Sequence, residues 1–248
     1  MKRIQTFLAR FGAGDPLPPW SLTGALLTVL VAFAAMLIGS AVALVWGGTQ
    51  DFVELAGWTL GGLLILLYVW QTRQRDRDAL RLNTASTPIL FVMFVSLGCA
   101  IALDLISNAV TGEFQPKPEL LGLNPGTLGI AEWGFAVIFM VVVQPIAEGL
   151  VFRGIALPAL RGVLGAWGGL IAAALLAGAF HLLVYPPNYA TASSITPIWF
   201  GLVIPFVEAV LYTGVRGYTQ STRAAIAAQM AFGLFAVIKL LSLTGAPL

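Results

Sequence analysis

The chain has 248 residues, 58% of them hydrophobic and only 10% charged, against about 25% charged in a soluble domain. That balance excludes a soluble catalytic domain and a nucleic-acid-binding module, and it reads as an all-α, polytopic transmembrane helical bundle. One cysteine and one histidine exclude an intrachain disulfide, a multi-cysteine metal site and a histidine-rich zinc cage, and no cofactor is expected.

Residues 1–19 form a short basic N-terminal segment with Lys2, Arg3 and Arg10, closed by Pro16, Pro18 and Pro19. Ile4, Phe7, Leu8 and Phe11 recur at helical spacing beside those cations. The segment reads either as a small helix on the membrane surface or as a disordered tail. It lacks a short apolar core followed by a small-residue cleavage site, so no cleaved signal peptide is expected.

Residues 20–248 read as one transmembrane bundle of about seven spans, within a range of six to eight. Ser21 to Trp46 is the first, long enough for a bilayer core of ~30 Å. Phe52 to Trp70 is the second, with Trp58 and Trp70 as interface anchors. Thr72 to Arg81 is the most charged run and belongs in water. Pro88 to Ile106 is the third span, with Cys99 as packing and Asp104 near its end. A polar loop, Ser107 to Gly126, follows. The fourth span starts near Thr127, with Glu132 close to its start, and runs past Glu148 to a turn at Arg161–Gly165. Ala166 to Val184 is the fifth span, Pro197 to Tyr212 the sixth, and Thr222 to Leu243 the seventh. With the N-terminus in the cytoplasm, only Lys117 and Lys239 of the 13 lysines and arginines fall outside, a strong positive-inside bias. The expected location is a bacterial cytoplasmic membrane, with the lipid bilayer as first partner.

One stretch stands out: Gln144-Pro-Ile-Ala-Glu148-Gly-Leu-Val-Phe152-Arg153-Gly154. It puts a carboxylate and a guanidinium inside an apolar helix, where each costs roughly +2.5 to +3.5 kcal/mol on insertion scales and marks function by default. Pro145 and Pro158 each remove an intrahelical bond and predict kinks. Glu148 and His181, the sole histidine, are nearly equidistant from the predicted turn at Arg161–Gly165. Antiparallel arms therefore set them level, ~25 Å from that turn. A carboxylate beside an imidazole holds and activates a water, or else pins two helices by a hydrogen bond. Glu208 and Gln229 are level in the next hairpin by the same argument and read as an interhelical hydrogen bond.

The stretch Ala147 to Gly154 resembles the Glu-Glu-x-x-x-Arg motif of the CPBP family, intramembrane proteases related to the CAAX prenyl endopeptidases and to bacteriocin-processing proteins. The resemblance covers about 132–238. It implies metal-independent peptide hydrolysis, with Glu148 as general base, His181 as its partner, Arg153 as the motif arginine and Gln229 at the position of a late oxyanion-hole histidine. The chain departs from the family at four places: Gly149 replaces the second Glu, Ala177 an expected Phe (with Phe180 adjacent), Gln229 the late His and Gly233 the late Asn.

Two functions follow. One is a divergent intramembrane endopeptidase that hydrolyses a membrane-anchored peptide through Glu/His-activated water. The other is a non-catalytic relative, a scaffold or assembly subunit of a larger membrane complex. A small carrier is disfavoured, because the chain lacks repeated broken helices.

Overall fold

The computed structural model describes residues 5, 9–12, 16–47, 51–83, 85, 87–121, 123, 126, 128–186 and 195–243. Most of the basic N-terminal segment, including Lys2, Arg3, Ile4, Phe7 and Leu8, lies outside the described residues. So does most of the loop expected over Tyr185 to Thr196.

Among the described residues there is no strand, and six helices are long and apolar enough to cross a bilayer. They are α1 (Leu22–Gly47), α2 (Asp51–Thr72), α3 (Ile89–Thr111), α4 (Ile130–Val184), α5 (Ile195–Thr219) and α6 (Thr222–Ser242). The protein is an integral membrane protein. Leucine, isoleucine and phenylalanine side chains such as Leu30, Leu90, Phe94 and Ile238 face outward, as a lipid-solvated surface requires.

The count of six against the expected seven has a simple cause. Helix α4 is 55 residues long and folds back at Gly165, whose φ of 74° lies where a side chain is disfavoured. Three cross-arm contacts establish an antiparallel hairpin. Gly169 packs on the Arg161 backbone, Phe152 meets Phe180 edge-on at 5.1 Å, and Tyr185 reaches Glu148. The fold-back lies at the far end of the turn expected from the sequence.

The kinks expected at Pro145 and Pro158 take a particular form. Wide π-helical turns span Ile138–Val143, Gly149–Ala156 and Trp199–Val203. Each is followed two residues on by a proline: Pro145, Pro158 and Pro205. A proline ring has no N–H to give and strikes the carbonyl four residues earlier. Those carbonyls belong to Val141, Gly154 and Gly201, and each lies inside a widened turn. Widening moves the carbonyl aside and keeps the helix continuous through the proline.

Small residues set the closest helix contact. A methyl group at Gly39 of α1 would overlap the Gly57 carbonyl and the Gly61 amide of α2, the close backbone approach that membrane helices use in place of a hydrophobic drive. Caps finish the ends: Ser21 Oγ accepts from Gly24 N at 3.1 Å, and Ser221 Oγ accepts from Ala224 N at 3.3 Å.

Two expectations need correction. Trp58 is not an interface anchor. It is buried and packs edge-on against Tyr185 at 5.1 Å, because the first arm of α4 covers it. Trp70 is exposed and carries the Arg77 guanidinium over its ring at 3.7 Å. Arg153 and Arg216, both placed among the inside charges, are fully buried and so do not report on orientation.

Candidate active site

Glu148 closes a five-residue α-helical segment, Gln144–Glu148, between two of the wide turns. Its carboxylate is buried and held from two sides. Tyr185 Oη donates to Oε1 at 3.3 Å, and Gln229 Nε2 donates to Oε2 at 2.8 Å. Both contacts hand a donor to a carboxylate oxygen that the bilayer core does not hydrate.

Gln229 also accepts from Arg153 Nη1 at 3.2 Å through Oε1. The guanidinium lies 5.2 Å from the centre of the Tyr212 ring, a cation–π contact. Arg153 thus finds a partner on α6 after losing the carboxylate that Gly149 replaces. The expected Glu208–Gln229 bond does not form. Glu208 instead accepts from Lys117 Nζ at 2.6 Å and Tyr212 Oη at 3.2 Å, because a cation from a loop reaches it first.

That loop is what the sequence reading missed. The segment after α3 was expected to be a polar connector, yet it turns inward and buries Glu119 and Leu120 in a short 3₁₀ turn, Pro118–Leu120. Gln144 Nε2 donates to Glu119 Oε1 at 2.9 Å. His181 Nε2 lies 3.6 Å from the same oxygen, an ion pair when the imidazole is protonated. The nearest carboxylate to His181 is therefore Glu119, and the residue facing Glu148 across the hairpin is Tyr185. His181 sits one helical turn before Tyr185 on the same face, the rings 4.8 Å apart. The only advance signal was Pro116-Lys117-Pro118-Glu119, two charges stiffened by two prolines.

The two loop charges tune each other. Burial pulls the Lys117 ammonium toward its neutral form, but Glu208, Glu119 and Glu148 outweigh it and its pKa is raised. Burial pushes Glu119 up, but His181, Lys117 and the Gln144 amide outweigh it and hold its carboxyl below the usual range. Both groups are charged at neutral pH.

These side chains enclose one cavity. Lys117, Glu119, Gln144, Glu148, Arg153, His181, Glu208, Tyr212 and Gln229 all line it. Its volume is about 20 Å³, room for one water molecule. Two buried atoms at its wall, Arg153 Nε and Glu119 Oε2, have no hydrogen-bond partner in the structure. Among the described residues no three His, Cys, Asp or Glu side chains are grouped to hold a metal.

Residues 130–235 match the family model described as type II CAAX prenyl endopeptidase Rce1-like. That match supports the resemblance of this segment to the CPBP family. Nothing among the curated proteins or the solved structures matches the chain. The match covers less than half of the chain, and the site lies inside the matched segment except for Lys117 and Glu119, which precede it. The departures from the CPBP motif are built into the packing. A side chain at Gly233 would overlap the Met140 carbonyl oxygen, and one at Gly149 would overlap the Ile226 side chain. Glycine at these two positions lets α6 lie directly against the first arm of α4.

Proposed function

We propose that the protein is a divergent CPBP-type endopeptidase of the membrane, acting on a membrane-anchored peptide by hydrolysis. The observation that carries this reading is the water-sized cavity shared by Glu148 and His181. Glu148 takes a proton from the water as its oxygen bonds to the peptide carbonyl carbon. His181, paired with Glu119, orients that water from the other wall. The tetrahedral intermediate collapses by breaking the C–N bond, and Glu148 returns its proton to the leaving amine. Arg153 Nε and Lys117 Nζ supply positive charge on the same cavity, where oxyanion charge develops. The late asparagine of the family, lost at Gly233, is thereby replaced by cations from other elements. The proposed setting is a bacterial cytoplasmic membrane with the N-terminus in the cytoplasm.

The test uses purified protein in lipid with a library of membrane-anchored peptides, followed by mass spectrometry. Cleavage by the wild type that disappears in both Glu148→Gln and His181→Ala is expected. Cleavage that survives Glu148→Gln would sink the assignment. A folded wild type that cleaves nothing would favour the non-catalytic scaffold.

A further inference from the structure

We infer that substrate reaches the Glu148 cavity sideways from the lipid, between α3 and α6, as an unwound stretch of peptide that passes two ion-pair gates. This inference rests on the hydrolytic reading of that cavity.

The route is a chain of three spaces that share walls. The outermost has a volume of about 370 Å³ and is bounded by Ile101 and Leu105 of α3 and Ile238 of α6. All three side chains are about half exposed on the outer surface of the bundle, so this space opens toward lipid. Asp104, Phe235 and Lys239 line both it and a middle space of about 40 Å³. Lys117 and Glu208 in turn line both the middle space and the catalytic cavity.

A gate stands at each shared wall. At the outer one, Lys239 is paired with Asp104 and also donates to the Gln115 carbonyl at 2.6 Å. At the inner one, Lys117 is paired with Glu208 at 2.6 Å. Gln115 and Lys117 belong to the loop that follows α3, so one movement of that loop would loosen both pairs. Closed, the middle space is too small for a peptide backbone.

The lining says what passes. The middle space is bordered by apolar side chains such as Leu103, Phe200 and Phe232 and, among them, by Asp104, Ser107, Gln115, Lys117, Glu208 and Lys239. An acyl or prenyl chain would use only the apolar part of that wall and leave the charged and amide groups unused. An extended peptide uses both, because every N–H and C=O that leaves its own helix within a membrane needs a partner. The large apolar groove around Phe91, Val95 and Trp167 shares no lining residue with this path.

Phe235 stands at the outer gate and provides the test. In a Cys99→Ser background, Phe235→Cys is labelled with a benzyl methanethiosulfonate, and labelling is confirmed by intact mass. The readout is the rate at which diethyl pyrocarbonate modifies His181, the only histidine, in protein held in lipid. Before labelling, Phe235→Cys should speed the modification; after labelling, it should slow by about tenfold. Leu234→Cys, on the outer surface beside the route, should leave the rate unchanged under the same treatment. Asp104→Asn, which unlocks the outer pair, should raise it. An unchanged rate in labelled Phe235→Cys, or a thiol at 235 that never reacts, would overturn the route. Peptide cleavage is scored in the same samples. A route that responds to the plug in a protein that cleaves nothing would separate failure of the hydrolytic reading from failure of the path.

Discussion

Gln229 stands between Glu148 and Arg153, giving its amide N–H to the carboxylate at 2.8 Å and its carbonyl to the guanidinium at 3.2 Å. The amide is neutral, yet it links two buried charges that do not bond directly. Replacing it by leucine keeps the volume and removes both contacts. Removing one partner of a buried charge typically costs up to ~3–5 kcal/mol, so Gln229→Leu should lower the unfolding midpoint markedly in detergent even though Tyr185 still donates to Glu148. A change under about 1 kcal/mol, the worth of an ordinary membrane hydrogen bond, would mean the amide is not a link.

The two glycines that break the family motif should respond differently to alanine. At Gly233 the added carbon meets backbone, the Met140 carbonyl, which cannot turn aside. At Gly149 it meets the Ile226 side chain, which can. Gly233→Ala should destabilise strongly, beyond the ~1–3 kcal/mol of usual overpacking. Gly149→Ala should cost less and be largely rescued by Ile226→Ala in a double-mutant cycle. Thermal unfolding of wild type, the three single variants and the double variant checks both statements.

Glu119 gives a pH signature. Its carboxyl is held below the usual range, so the folded state favours the charged form and gains stability from it. That gain is complete above the ordinary glutamate value of about 4.3 and is lost as pH falls through the lowered folded value. Wild type should therefore be more stable than Glu119→Gln near neutrality, with the gap closing only in strong acid. Lys117 is the mirror case, since its pKa is raised. Its contribution is complete below about 10.4 and is lost only as pH climbs through the raised value. Denaturation of wild type, Glu119→Gln and Lys117→Met across pH measures both limbs.

Tyr185 is the donor that the hairpin places opposite Glu148. Tyr185→Phe removes one hydroxyl and keeps the ring against Trp58 and Phe139. Hydrogen bonds to a charged group are worth about 1.5–3 kcal/mol, and a loss in that range is expected. A loss confined to peptide cleavage, with stability untouched, would show that the hydroxyl acts in the reaction alone.

The helices, the hairpin and the common depth of Glu148 and His181 were legible in the sequence, while Arg153 and Gln229 joined them only through the family resemblance. Apolar length sets the spans, and distance from a turn sets the level of each residue. The finer partners were not legible. Level residues need not face each other, so Tyr185 rather than His181 bonds Glu148, and Gln229 turns to Glu148 rather than Glu208. Lys117 and Glu119 escaped because nothing in a short loop's own residues says whether it folds inward or out into water. That choice is made by polar groups of other helices, Glu208 and His181, which Lys117 and Glu119 meet.

The wide turns on either side of the Gln144–Glu148 segment have one more effect. A π turn holds one residue more than an α turn, so it offsets the helix by about 100° at that point. Glu148 thus rides on a collar whose angular setting is chosen separately from the two shafts it joins. Moving one residue from one wide turn to the other would swing the carboxylate about the helix axis while the two shafts kept their relative setting. In such a helix the reactive group is aimed by rotation at a swivel, and a deletion in one turn matched by an insertion in the other becomes a way to retarget it.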